Sequence, residues 1–193
     1  MDSNDQELIK RFQQNNGLAV FDQLVIKYKD MVFNLCYRFM GNYDDANDCA
    51  QDTFLKAFKG LKKFRAEANF STWLYRIAVN TCKNKLASLT YRFSKMLIRI
   101  DQAKSEEERG TIREVRDDSM SPVSLLMKKE TDRLIQKAID SLPKDQKIVV
   151  VLRDVEDLAY EEIAAITGHN LGTVKSKLFR AREQLRNKLK GLI

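Results

Sequence analysis

The sequence predicts an all-α fold: two small helical domains joined by a flexible linker, the C-terminal one carrying a helix-turn-helix. Three observations predict it. Seven Gly and two Pro among 193 residues are too few for the turns of a β-sandwich. Apolar residues recur at helical spacing over long stretches on both sides of the middle of the chain. Between those stretches, "DQAKSEEERGTIREVRDDSMSP" is charged, serine-bearing and without an apolar stripe. The expected division is 1–95 for the first domain, 96–128 for the linker and 129–193 for the second domain.

The first helix is expected from Gln6 to Gln14. "FDQLVIKYKDMVFNLCYRFM" then sets Phe21, Leu24, Val25, Tyr28, Val32, Leu35, Cys36 and Phe39 on one face of a long helix. Gly41-Asn42 stops it. Asp44 and Asp45 suit the start of the next helix, where carboxylates meet the positive end of the helix dipole. That helix runs to about Gly60 and buries Ala46, Cys49, Ala50, Phe54, Ala57, Phe58 and Leu61. After the loop "KKFRAEANF", the stretch "FSTWLYRIAVNTCKN" carries an apolar stripe of Phe70, Trp73, Leu74, Ile77, Ala78, Thr81 and Cys82. Arg76, Asn80, Lys83 and Asn84 fall on its other face, with Trp73 at the edge. The linker character sets in from about Leu89.

Order resumes near Glu130. "RLIQKAIDSL" reads as a short amphipathic helix, and Pro143 can open the next, because a proline at a helix start loses no needed N–H. "IVVVLRDV" is β-branched and could be a strand by itself; its neighbours make it helical. Ile163 and Ile166 define a short helix ending at Gly168, and Leu171, Val174, Leu178, Ala181, Leu185 and Leu189 a longer one. Ala164, Gly168 and Val174 have helix-turn-helix spacing: a small residue where the helices cross, a glycine for the turn, an apolar residue locking the second helix.

Composition narrows the chemistry. The net charge of +7 favours a polyanionic partner. Cys36, Cys49 and Cys82 all sit on apolar stripes, there is no CxxC, and the chain has one histidine. No metal site or cofactor is expected, and the thiols read as reduced core residues of a cytoplasmic protein. The polar N-terminus does not read as a signal peptide, and no apolar run approaches the about 20 residues a membrane helix needs.

The charge is also segregated. From Leu171 to Ile193 there are seven Lys or Arg and one acid; from Glu130 to Asn170, five basic residues and nine acids. A recognition helix would present Thr173, Lys175, Ser176, Phe179 and Arg180 to base edges, with Arg153 and Lys177 as phosphate contacts. His169 reads as a turn residue, with no nucleophile or acid arranged around it. From Leu61 to Ile100 there are nine basic residues and one acid, interleaved with Phe64, Phe70, Trp73, Tyr75, Tyr91 and Phe93. Cations track phosphates, aromatic faces take up unstacked bases, and Asn80 offers a donor and an acceptor to a base edge. By periodicity Phe70 belongs to the core and Trp73 falls between core and surface.

These stretches carry a resemblance. "YDDANDCAQDTFLKAFKGLKKFRAEANFSTWLYRIAVNTCKNKL" and "LPKDQKIVVVLRDVEDLAYEEIAAITGHNLGTVKSKLFRAREQL" closely resemble the extracytoplasmic-function sigma factors, minimal two-domain members of the bacterial sigma-70 family. The resemblance implies a specificity subunit of RNA polymerase and not an enzyme. Its region 2 would bind the polymerase clamp and the minus-ten promoter element, and its region 4 the minus-35 element and the polymerase flap. It further implies that Asp48, Gln51 and Asp52 dock on the clamp. Phe64, Arg65, Ala68 and Asn69 of the loop, with Trp73, Arg76, Asn80 and Lys83 of the helix, would hold minus-ten DNA around a flipped base. Lys175, Ser176, Phe179 and Arg180 would contact minus-35 bases, Lys175 standing where arginine is common; a lysine lacks the planar fork for a bidentate contact. The implied partners are core RNA polymerase, promoter DNA and an anti-sigma factor, with no membrane contact except through the anti-sigma factor.

Two other readings fit the sequence less well. A helix-turn-helix regulator with an N-terminal partner-binding domain has no need for the cationic, aromatic stretch from Leu61 to Ile100. For a nuclease holding metal on Asp44, Asp45, Asp48 and Asp52, those carboxylates would face outwards along a helix, and the sequence shows no visible histidine, lysine or glycine loop that converges on them.

Overall fold

The computed structural model describes residues 3–15, 17–65, 69–97, 131 and 133–190. The chain divides into two compact units, Met1–Gly110 and Thr111–Ile193. Every regular element among the described residues is helical.

In the first unit α1 spans Ser3–Asn15, α2 Leu18–Met40, α3 Tyr43–Leu61 and α4 Phe70–Leu97. Gly41 ends α2 in the left-handed region (φ 76°), its N–H bonded to the Tyr37 carbonyl at 2.9 Å. Asn42 then caps α3, accepting the Asp45 N–H at 2.9 Å, while its own amide donates to the Asp45 carboxylate at 3.0 Å. This two-residue turn folds α3 back along α2, and α4 packs on both. The core between them holds Leu24, Val32, Leu35, Ala46, Ala57, Leu61, Phe70, Leu74 and Ala78. Because α4 meets two neighbours, it also buries Tyr75 and Val79, outside the expected stripe. It continues to Leu97, past the expected change near Leu89, because the apolar spacing does not stop there: Cys82, Leu86, Leu89, Phe93 and Met96 still follow a helical period, and Arg92, Lys95, Met96 and Leu97 are good helix formers. The rest of the expected linker, 98–128, lies outside the described residues.

The three cysteines are buried and free. The bonds to the Cys36 and Cys49 thiols, and then burial, push the Cys82 thiol far above the ordinary range, and all three thiols are closed to solvent. α1 is fastened at its start: the buried Asp5 carboxylate takes the Lys27 ammonium and the Tyr28 hydroxyl, each at 2.6 Å. Burial, and then the bond to Asp5, push the Tyr28 hydroxyl up to about 12.

In the second unit α5 covers 133–140, α6 Lys144–Val150, α7 Tyr160–Thr167 and α8 Leu171–Leu189. Pro143 stands immediately before α6. The β-branched run is helical: α6 passes into a π-helical turn, Val151–Val155, and Ile148 through Leu152 are all buried. They form the unit's core with Ile163, Ile166, Val174, Leu178 and Ala181. Lys147, buried beside them, pairs with Asp140 at 2.7 Å. Gly168 closes α7 with φ 72°, its N–H on the Ala164 carbonyl at 2.9 Å. Asn170 opens α8 by accepting the Thr173 N–H at 2.8 Å. The expected helix-turn-helix is thus built on the expected turn.

Candidate nucleic-acid interface

The end of α3, the loop after it and α4 bring together one group of expected residues. Trp73, Arg76, Asn80 and Lys83 follow one another along a single line of α4 at helical spacing. Arg76, Asn80 and Lys83 are exposed; Trp73 is half-buried. Its indole packs on Phe64, with ring centroids 5.0 Å apart, on Phe70 at 5.7 Å, and over Gly60. Phe64 is half-buried, Arg65 and Asn69 are exposed, and Ala68 lies outside the described residues. Two of the interleaved aromatics, Phe70 and Tyr75, are core and present no face to a ligand. The side chains of Tyr91 and Phe93 lie outside the described residues. One aromatic flank with a row of cations and an amide is the arrangement that stacks a base and reads its edge.

On α3, Asp48, Gln51 and Asp52 share one exposed face, as their spacing predicts. Asp48 pairs with Lys85 of α4 at 3.2 Å, and Asp45 with the same ammonium at 3.3 Å. Lys85 is not marked by its spacing; the fold brings it to both carboxylates. Gln51 also borders an open apolar groove lined by Leu18, Phe21, Val25, Phe54, Leu55 and Phe58. Leu18 is 68% exposed and Leu55 58%, which leaves an apolar rim open to solvent beside the acidic face. Neither leucine belongs to the expected docking residues Asp48, Gln51 and Asp52. The available signal was Leu55 itself, an apolar residue on the polar line of Asp48 and Asp52.

On α8, Phe179 is 70% exposed, and Lys175, Ser176 and Arg180 are exposed beside it. Thr173 is half-buried at the helix start. The ring of Tyr160, on α7, lies under two cations: the Lys175 ammonium at 5.9 Å and the Arg153 guanidinium at 5.4 Å from its centroid. Arg153 also donates to the Leu158 carbonyl at 2.9 Å and to Asp157 at 3.2 Å. Lys177 bonds to the Asp145 carboxylate and lies 3.1 Å from Nε2 of His169. The two expected phosphate contacts are therefore already engaged within the unit. Arg182 forks onto Asp154 of the π-helical turn. Tyr160 is a residue that periodicity does not mark.

Among the described residues, no group of His, Cys, Asp or Glu side chains could hold a metal ion, and no helix is long and apolar enough to cross a membrane.

Residues 24–91 match the Sigma-70 region 2 family and residues 132–185 the Sigma-70, region 4 family. Over 189 residues the chain is 38% identical to the ECF RNA polymerase sigma-E factors of Salmonella typhimurium and Escherichia coli, a match covering 98% of this chain and 96% of each relative. The chain belongs to the extracytoplasmic-function sigma factors. The RNA polymerase sigma-H factor of Pseudomonas aeruginosa is 35% identical to this sigma factor over the same length, with 98% of this chain and 95% of the relative covered. Among solved structures, CnrH in complex with the cytosolic domain of CnrY shares the fold at a TM-score of 0.69 and 22% identity, covering 98% of this chain and 99% of that one. The sigma factor RpoE from Bartonella quintana, solved with the anti-sigma factor NepR, is similar at a TM-score of 0.64 and 25% identity, over 88% of this chain and 96% of that one. In this sigma factor the region 2 match takes in most of α2, all of α3 and most of α4, and the region 4 match the helix-turn-helix.

Proposed function

We propose that this sigma factor binds core RNA polymerase, directs it to promoters and helps to open them. Residues 1–95 act as region 2, 96–128 as the connection and 129–193 as region 4. The α3 face of Asp48, Gln51 and Asp52, with the apolar rim of Leu18 and Leu55, docks on the polymerase clamp; region 4 meets the flap. Carboxylates set the orientation, and covering the leucines supplies the apolar part of the affinity.

Region 4 lays α8 in the major groove of the minus-35 element. Lys175, Ser176, Phe179 and Arg180, with Thr173, read bases; Arg153 and Lys177, braced by Tyr160, Asp145 and His169, stand near the phosphates. Region 2 holds the minus-ten element after its strands separate. Unstacking a base costs a few kcal/mol. Stacking at Trp73 and Phe64, edge bonds to Asn80, and phosphate pairing by Arg65, Arg76 and Lys83, with Ala68 and Asn69 in the loop, offset that cost. The protein changes equilibria between closed and open promoter and breaks no covalent bond: it is a specificity subunit working in the cytoplasm. An anti-sigma factor is the expected regulator, a reading supported by the similar sigma factor RpoE of Bartonella quintana having been solved with the anti-sigma factor NepR.

The observation that carries this reading is the single α4 line of half-buried Trp73 followed by exposed Arg76, Asn80 and Lys83. A protein that reads duplex DNA alone has its helix-turn-helix and needs no such line. The test is transcription in vitro with purified core enzyme on genomic fragments. Initiation at discrete sites that depends on this protein supports the reading; duplex binding without initiation refutes it.

A further inference from the structure

We propose that Gln13 of α1 and Gly60 of α3 are positioning residues for the base-stacking site at Trp73. This rests on the reading of α4 as the face that holds a separated strand.

α3 ends at Leu61, so its last carbonyls have no partner within the helix. The Gln13 side chain supplies one from 48 residues away. Its Nε2 donates to the Leu61 carbonyl at 3.1 Å and to the Phe64 carbonyl at 2.8 Å. Between these two points the chain makes two tight turns, Lys63 N–H to Gly60 carbonyl at 3.0 Å and Phe64 N–H to Leu61 carbonyl at 3.2 Å. The amide of Gln13 therefore pins the backbone that carries Phe64. The Phe64 ring in turn forms one wall of the Trp73 site and meets Phe70 edge-on, centroids 6.0 Å apart. Gln13 lies outside the residues that match region 2, 24–91.

Gly60 forms another wall. Gly60 stands next to last in α3 and its φ is not positive, so the backbone there does not itself require a glycine. The reason lies across the interface. A Cβ on Gly60 would stand 3.1 Å from Cζ2 and 3.5 Å from Cη2 of Trp73. The indole lies against bare α3 backbone, and even a methyl group there would require it to give by a few tenths of an ångström. Trp73 is thus held by Gly60, Phe64 and Phe70 before any ligand arrives. A stacking platform that is ordered beforehand loses none of its affinity to ordering on binding.

Trp73 is the chain's one tryptophan, so its emission reports on this site directly. The experiment titrates the full chain with short single-stranded DNA of random sequence, and separately with the same DNA as duplex, following Trp73 fluorescence and thermal melting. Wild type should be quenched by single strands. Gln13→Ala and the isosteric Gln13→Glu should bind single strands about fivefold more weakly, the loss of roughly one hydrogen bond's worth of order. Gln13→Lys, whose ammonium still donates to both carbonyls, should stay near wild type. Gly60→Ala should shift the emission of the free protein and weaken strand binding, by less than the about tenfold that loss of a whole stacking contact would cost. Duplex affinity should be unchanged throughout. Gln13 is at the surface, so its variants keep the test open if Gly60→Ala fails to fold. Quenching of wild type with unaltered affinity in Gln13→Ala and Gln13→Glu overturns the positioning role alone. Equal losses for single strand and duplex also overturn it, as the mark of a general effect on the fold. No quenching of wild type by single strands overturns the reading of α4, and the positioning role falls with it.

Discussion

Lys85 of α4 reaches Asp48 of α3, its Nζ 3.2 Å from Oδ2, and takes Asp45 on its other side. The bond to Asp48 is the chief cause that raises the Lys85 ammonium above its ordinary range. The pair ties the acidic face of α3 to the helix assigned to the open strand. Reversing the charges of Asp48 and Asp52 should abolish co-purification with core polymerase. Because both carboxylates are exposed, stability should change by no more than about 1 kcal/mol. Retained co-purification in a folded double variant would remove these residues from the docking face.

Leu55 tests the apolar part of the same face. Leu55→Asp should weaken polymerase capture by about tenfold or more, since burying a leucine is worth about 1.5–3 kcal/mol. The melting temperature should hardly move, because Leu55 is 58% exposed in the free protein. Unchanged capture, measured by competition with wild type for core enzyme, would assign the groove to another partner.

Arg180 and Lys177 separate two kinds of cation on α8. Arg180→Ala should cost about 1–3 kcal/mol in minus-35 affinity and relax discrimination there. Lys177 is held by Asp145 and His169, so Lys177→Ala should lower the stability of the second unit and leave base discrimination alone. Binding of mutated minus-35 duplexes by holoenzyme, beside thermal melts, checks both. Full discrimination in Arg180→Ala would exclude it from the base contacts.

Asn80 is exposed on α4 and its loss opens no cavity. Asn80→Ala should spare duplex binding and weaken promoter opening. Permanganate reactivity of unpaired thymines in the minus-ten region is the readout; a wild-type footprint would reject the edge contact.

Tyr28 makes alkaline stability predictable. Its hydroxyl is raised from 10.0 to about 12, first by burial and next by Asp5. The folded chain holds this proton more tightly than the unfolded chain. The stability it contributes is therefore complete below pH 10 and is lost as pH rises through about 12. Tyr28→Phe should cost about 1–2 kcal/mol near neutral pH through the lost bond to the Asp5 carboxylate, and should flatten the alkaline loss in that window. Urea unfolding across the pH range measures both; an unchanged alkaline slope would mean that Tyr28 carries none of it.

The helices, their order and the helix-turn-helix were legible from the sequence, because each follows from local chemistry. A stripe such as Leu24, Val32 and Leu35 states that one face of a helix is buried, and Gly168 and Asn170 mark the turn by backbone freedom and side-chain capping. The residues of the two cationic faces were legible too, since Lys175, Arg180, Arg76 and Asn80 lie off the stripes and must point outward. The extra burial of Tyr75 and Val79 was not legible: a stripe identifies one packed face, and α4 has two neighbours. Nor were the partners of Lys177 and Arg153, the groove at Leu55, or the bare patch of Gly60 under Trp73. Those are decided by which helices meet and at what separation. Gln13 and Phe64 are 51 residues apart and become neighbours only when α1 packs beside the end of α3. Spacing along a chain reports the faces of its helices; only their packing decides which side chains meet across them.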